Sequence, residues 1–263
     1  MLSRHVPKPV AESVTVGGLV LAGWGLVATM ERRHPFRDDW NEPHGDTATD
    51  IADLLVSDGW GRSAAAALTA PLRNAIASRR GTKRGPLARL PVGAQVAVMV
   101  SAYDFGHYWM HRIMHEGAGW RIHAPHHSAE RLYWLNATRF HPVELAIDGI
   151  QESIVLALLG PSGDAMTAFA ALRGIYGQIQ HANVDMDSGP LNAVLSTPER
   201  HRWHHSVEPS EGNSNYGAIV SIWDTAFGSA TMPDREFDAP IGLGDPDYPK
   251  GWVGQLAAPI TAG

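Results

Sequence analysis

The chain contains no cysteine among its 263 residues. That absence excludes disulfides, thiolate zinc sites, iron–sulfur clusters and cysteine nucleophiles. There is no surplus of basic charge either. With 21 basic and 27 acidic residues the net charge is −6, so no nucleic-acid surface is expected. Long apolar runs are scarce, and the mean hydropathy of −0.16 is that of a soluble protein. Strand-like alternation is scarce too, which predicts a mainly α fold. The length suits one large or two small domains.

One segment approaches a membrane span. Residues 13–30 carry no charge, lie between Glu12 and Glu31, and reach the roughly 18 residues that a spanning helix needs. Arg4 and Lys8 precede it, as in a signal peptide, but no clear cleavage pattern follows. Arg32, Arg33 and Arg37 come directly after it, as in a retained anchor with that end in the cytoplasm. Residues 1–89 therefore read as membrane-anchoring helices ending in a basic loop, 79–89. That loop is either plainly solvated or held at an anionic bilayer face. A second apolar pair of short segments, 149–173, is broken by Pro161-Ser162-Gly163-Asp164. It is expected to form a helical hairpin, re-entrant or buried in the core. Residues 236–263, rich in Gly, Pro and Asp, read as an irregular tail.

Histidine is abundant. Eleven of the 14 fall between His107 and His205. They read His107-x-x-x-His111, His123-x-x-His126-His127 and His201-x-x-His204-His205. Neutral imidazole is the commonest protein ligand for transition metals, and on a helix residues three and four apart share a face. Eight imidazoles in three such groups exceed what one tetrahedral ion takes, and they suit two metal ions side by side. Asp104 lies on the stripe of His107 and His111, placed to accept an Nδ–H from a ligand histidine. His115, on the same stripe, reads as a partner of nearby polar groups. Pro125 is expected to start a helix, and Thr197 with Pro198 to cap and open the helix carrying the last group. His141 and His181 stand alone and, taken singly, read as structural.

These residues resemble the fatty acid hydroxylase/sterol desaturase superfamily of histidine-box, non-haem di-iron membrane oxidases. The ordered boxes carry the likeness, and so do their surroundings: 108–112 (YWMHR), 136–144 (NATRFHPVE), and 215–229 with Asn215-Tyr216-Gly217, Ile222-Trp223-Asp224 and Phe227-Gly228-Ser229. The resemblance covers residues 90–235. It implies helical hairpins in the membrane, capped by a histidine-rich helical catalytic domain facing the cytoplasm. It also implies an O2-dependent monooxygenase that hydroxylates a C–H bond of a lipid or other apolar substrate: fatty acyl lipid, sterol or hopanoid, or carotenoid. The implied cofactors are two iron ions, with O2 as co-substrate. The ligands it implies are His107, His111, His123, His126, His127, His201, His204 and His205, with His181 as a ninth. His141 is a ligand or an outer partner of one. The implied electron donor is a separate protein, cytochrome b5-like or a ferredoxin with its reductase. Trp109, Trp120, Tyr133, Trp134 and Trp203 are candidates for an apolar substrate slot, or for core packing.

Three other readings stay open at this point. A desaturase would use the same centre, because loss of a second hydrogen in place of oxygen rebound depends on substrate placement. A zinc hydrolase would use Glu199 or Glu144 as base, and would leave most of the histidines without a purpose. A membrane protein that binds metal without catalysis would hold ions and consume no O2.

Overall fold

The structure is a computed structural model that describes residues 8–81 and 85–261, with side chains from residue 14 onward. Among the described residues it is helical, and the only extended pairings are three isolated bridges. The mainly α expectation is met. Part of the N-terminal basic segment, residues 82–84, and residues 1–7 lie outside the described residues.

Five long helices make the body: α1 (Lys8–Arg33), α3 (Asp58–Arg80), α4 (Val92–Met114), α6 (Pro142–Leu159) and α7 (Gly163–Gln180), with the short α2 (Thr47–Ala52) before α3. A π-helical turn, Asp53–Ser57, runs α2 almost directly into α3. The apolar pair read at 149–173 is the α6–α7 hairpin, and it extends further at both ends than that reading. Gly160, in the left-handed region at φ 56°, ends α6, and Ser162 caps α7 by accepting from the Ala165 N–H. Arg80, read as part of a loop, belongs to α3 and donates to the Ala157 carbonyl near the end of α6. α1 lies along α7 and α3 along α6, while α4 contacts both members of the hairpin.

The core sits where α4, α6 and α7 meet: Met99, Val100, Tyr103, Leu156, Phe169 and Tyr176 pack there. Two glycines allow the closest approaches. A Cβ on Gly61 would lie 2.4 Å from the Leu145 Cβ, and one on Gly174 would lie 2.7 Å from a Val20 methyl. The flanking helices thus pack backbone against side chain, as small residues permit.

The remaining helices are short and carry the chemistry: α5 (Gly117–His127), α8 (Pro198–His204), α9 (Pro209–Gly212) and α10 (Ile222–Phe227). Pro125 falls in the last turn of α5, not the first. There it has no N–H to give the Arg121 carbonyl, and the helix stops two residues later at His127. Thr197 and Pro198 cap and open α8 as their types dictate, with Thr197 accepting from the Arg200 N–H. The tail is not wholly irregular, since Trp252–Thr261 forms α11.

Gly61→Val should lower stability by about 1–3 kcal/mol through overpacking of α3 against α6. In the same helix Gly59 has nothing within 4 Å of a built Cβ, so Gly59→Ala should leave the melting temperature unchanged or slightly higher. Thermal melts of both variants in detergent check the pair.

Candidate metal centre

Nine histidines converge in two neighbouring groups, His111, His115, His123, His127 and His204 in one, and His126, His181, His201 and His205 in the other. Within each group the candidate ligand atoms lie within 4.8 Å of one another. Each H-x-x-H-H motif is divided between the groups. On α5 the i, i+4 pair His123 and His127 enters the first group and His126 the second. On α8 the pair His201 and His205 enters the second and His204 the first. The reason is angular: three residues along a helix turn about 300° and four about 400°, so the middle histidine points to one side of the outer pair. The two groups lie side by side, with the rings of His127 and His205 stacked at 4.4 Å.

Outer partners fix which nitrogen faces inward. Nδ1 of His111 donates to the Tyr216 carbonyl at 2.9 Å, His126 to that of Arg139 at 3.2 Å, and His204 to that of Ser214 at 2.6 Å. A carbonyl can only accept, so these three rings carry their proton on Nδ1 and present the Nε2 lone pair to the interior. His181 is held the same way by Asn136 Oδ1 at 2.8 Å, because the Asn136 amide nitrogen is occupied by the Arg131 carbonyl. His123 Nδ1 lies 2.7 Å from Glu144 Oε1, and a cation on Nε2 would favour the carboxylate there.

The inward nitrogens are close: His111 to His123 3.0 Å, His127 to His123 3.1 Å, His181 to His201 2.9 Å and His205 to His201 3.1 Å. A metal–nitrogen bond of about 2.1 Å puts neighbouring ligands about 3.0 Å apart at right angles and about 3.4 Å apart in a tetrahedron. The spacing is that of ligands at right angles, and the two groups offer five and four histidines. The buried Nε2 atoms of His115 and His204 have no hydrogen-bond partner, a costly state that a bound cation offsets. All four ligand-bearing helices also end at the site: α4 at Met114, α5 at His127, α7 at Gln180 and α8 at His204. Their C-terminal partial negative charges favour a cation. The residues present therefore fit a pair of transition-metal ions.

Burial drives every one of these imidazoles toward the neutral form. His115 is pushed down to about 4 and His201 to about 3, and the other seven go the same way, each chiefly because the charged form is desolvated.

Several expectations from the sequence meet a different arrangement. The α4 pair that enters the groups is His111–His115, and His107 lies outside both. His107 Nδ1 bonds Asp148 at 3.0 Å and approaches the Tyr103 hydroxyl at 3.3 Å. Asp104 accepts no histidine N–H. Its carboxylate takes the backbone N–H groups of Ile219 and Val220, and Asp224 takes those of Tyr216 and Gly217 at 2.8 and 2.9 Å. Both acids therefore act through the 215–229 loop, whose Tyr216 carbonyl holds His111. His141 caps α6 by accepting from the Val143 N–H, and stands apart from both groups. Glu199 bonds the Ser188 N–H and Asn192, away from the histidines.

The segment 136–144 does more than its lone histidine suggested. It supplies Asn136 to His181, the Arg139 carbonyl to His126 and Glu144 to His123, and Phe140 stacks on His126 at 4.1 Å. Asp50 holds this segment in turn, taking Arg139 Nε at 2.6 Å and the Tyr133 hydroxyl at 2.5 Å. Nothing in the spacing of Asp50 could have flagged it. His115 could have been found, since it sits four residues beyond His111 just as His111 sits four beyond His107.

A cavity of about 440 Å³ adjoins the centre, with His111, His123, His126, His181 and His201 on its wall. Its aromatic lining is Trp24, Tyr103, Phe140 and Tyr176, and none of the five aromatics expected at a substrate slot lines it. Trp203, for one, packs with Trp40, Leu132 and Phe237 in a separate core.

His115→Ala should remove about half the bound transition metal, whereas His107→Ala should leave metal content near that of the wild type; elemental analysis of both proteins checks this. The metal-free chain should also be acid-sensitive. Its buried histidines titrate below their unfolded value of about 6.5, so the unfolded state binds more protons as pH falls. Stability is then full above about 6.5 and is lost below it, on the order of 1 kcal/mol per histidine per pH unit. Melting of metal-free protein between pH 7.5 and 5.5 reads this directly, and a flat profile would rule out neutral burial.

The fatty acid hydroxylase family model matches residues 96–229, a span that holds both histidine groups. Ornithine lipid hydroxylase OlsE of Rhizobium tropici is 35% identical over 242 residues, 90% of this chain and 72% of that protein. Human alkylglycerol monooxygenase is 34% identical over 127 residues, 48% of this chain and 28% of its own length. The Delta(7)-sterol 5(6)-desaturase erg3B of Aspergillus fumigatus is 31% identical over 191 residues, 65% of this chain and 50% of its own. No solved structure matches. The match spans half the chain and all nine converging histidines, and the chain belongs to the fatty acid hydroxylase family of oxidoreductases.

Proposed function

We propose that this chain is a di-iron monooxygenase that hydroxylates a C–H bond of a membrane lipid. The observation that carries the reading is the pair of histidine groups whose Nε2 atoms converge while their Nδ1 atoms are held by acceptors. Histidines 111, 115, 123, 127 and 204 would hold one ion, and 126, 181, 201 and 205 the other. When bound, iron supplies the activation of O2 that an unactivated C–H bond requires. The protein's share is to keep nine imidazoles neutral, fix their tautomers, and present a cavity in which a substrate carbon can lie against His111, His123 and His126.

Hydroxylation is favoured over desaturation because the relative aligned over 90% of this chain is named a hydroxylase. Glu144 and Glu199, the bases a zinc hydrolase would need, serve His123 and the 188–192 turn instead.

The lipid substrate accords with the placement of α1. Val14–Arg33 is the one described helix long and apolar enough to cross a bilayer, and little of it is buried. A helix so apolar and so little covered by protein suits lipid. Arg32, Arg33 and Arg37 at its end accord with a histidine centre on the cytoplasmic side. There a separate electron-transfer protein, cytochrome b5-like or a ferredoxin with its reductase, would deliver two electrons per turnover.

Wild type and His204→Ala, expressed in one host, should differ by a lipid species one oxygen heavier in the wild type alone, with the oxygen taken from 18O2. The purified wild type should carry two irons per chain. Full turnover by His204→Ala would sink the reading, and a product lacking two hydrogens would make the chain a desaturase.

A further inference from the structure

The cavity beside the histidines is not lined as a slot for a hydrocarbon chain alone would be. Along α1 its wall is apolar, with Val16, Val20 and Trp24. Facing it from α3, α4, α6 and α7 is a ladder of ionisable groups: His107, Asp148, Arg173 and Glu152, then Asp58 and Arg62. His107 Nδ1 meets Asp148 Oδ1 at 3.0 Å, and Arg173 Nη2 meets Asp148 Oδ2 at 2.5 Å, with Tyr103 donating to the same carboxylate at 3.2 Å. The ladder reaches the metal centre through His107, whose ring lies 5.3 Å from that of His111.

Two of these groups have capacity left. The one hydrogen bond that the Arg173 guanidinium makes is Nη2 to Asp148, and its Nε is buried without a partner. Among the described residues the Glu152 carboxylate makes no hydrogen bond, and its one ionic contact is Arg173 Nε at 3.8 Å. Each of these two side chains keeps 22% of its surface accessible although protein surrounds it, because both face the cavity. Ion pairs in such a place add little stability over apolar packing of the same volume. Their position is explained by a ligand that carries charge into the cavity.

We propose that Arg173 and Glu152 recognise a zwitterionic lipid headgroup, Arg173 taking its oxyanion and Glu152 its ammonium. A free amino group beside a carboxylate or phosphate meets this requirement, and a neutral glycerol ether or sterol does not. Asp148 is spent on Arg173, His107 and Tyr103 and orients the guanidinium. The α1 wall carries the acyl chain. The inference rests on the lipid-hydroxylase reading and names which lipids it accepts: those whose polar end can sit within one side chain's reach of His107, beside the histidine centre.

The test is equilibrium binding of radiolabelled lipids to the full-length protein in mixed micelles. The probes are an N-acyl ornithine lipid, its carboxyl methyl ester, its N-acetyl derivative, and phosphatidylethanolamine. The wild type should bind a zwitterion at least about tenfold more tightly than either derivative, as loss of a charge-assisted hydrogen bond predicts. Preference for the ornithine lipid or for phosphatidylethanolamine identifies the oxyanion as carboxylate or phosphate. Glu152→Gln should weaken the parent lipid and the methyl ester but not the N-acetyl form. Arg173→Lys should weaken the N-acetyl form and leave the methyl ester nearly unchanged. Because Arg173 also neutralises Asp148, Glu152→Gln, which disturbs no hydrogen bond, keeps the test valid should the arginine variant not fold. Equal affinity for all four lipids, or equal losses for every lipid in Glu152→Gln, would overturn the proposal. Charge-selective binding with no oxygen insertion by iron-loaded wild type would instead overturn the hydroxylase reading and leave this one standing.

Discussion

The structure depends on one repeated interaction, an Nδ1–H donated outward to a protein oxygen. It fixes the tautomer of His111, His126, His181 and His204 and leaves each Nε2 lone pair directed inward. A buried lone pair without a donor, as at His204 Nε2, is expensive, so something positively charged between the rings stabilises the arrangement. Supporting it are four helix C-termini, whose partial charges have the same preference. Nine buried imidazoles pointing at two places, with their hydrogen bonds directed outward, make two groups that suit cations.

The outward acceptors come from two segments, and the rest of the fold serves to hold them. One is 136–144, which supplies an amide oxygen, a carbonyl and a carboxylate, and which Asp50 anchors through Arg139 and Tyr133. The other is the stretch from Asn213 to Ser229, anchored by Asp104 from α4 and by Asp224 from within itself. Asp50, Asp104 and Asp224 thus work one step away from the converging histidines, on backbone amides, Arg139 and Tyr133, whereas Glu144 holds His123 directly. Their role is positional: Asp224 holds Tyr216, whose carbonyl fixes His111, and Asp50 holds Arg139, whose carbonyl fixes His126.

On the other side of the centre the helices leave space. Glycines at α3–α6 and α1–α7 bring those pairs close, while the cavity opens between them and the histidines. One wall is apolar and the other bears the Asp148–Arg173–Glu152 ladder, so the same space can take a chain on one side and a charged group on the other. The histidine groups and the cavity walls therefore share α4 and α7 and, the lining histidines aside, otherwise draw on different elements. α4, α5, α7 and α8 carry the histidines, whereas α1, α3 and α6 add much of the rest of the cavity wall.

The sequence by itself determined the helical class, the family, and the gathering of His123, His126, His127, His201, His204 and His205 at one place, because helical periodicity aims residues three and four apart at one side. Thr197 and Pro198 announced α8 for the same local reason. Only the tertiary structure decided how each triplet divides between two groups, since the division depends on what faces the helix. It also decided that His115 and not His107 accompanies His111: the two pairs have identical spacing, and Asp148, 41 residues from His107 in sequence, takes His107 out of the cluster. Asp104 shared the stripe of the ligands, but the 219–220 amides reached it first. His181, Asn136 and Asp50 have no periodic signature at all. Their roles exist only because α7, the 134–138 turn and α2 are packed together, and contacts between distant segments leave no spacing to read.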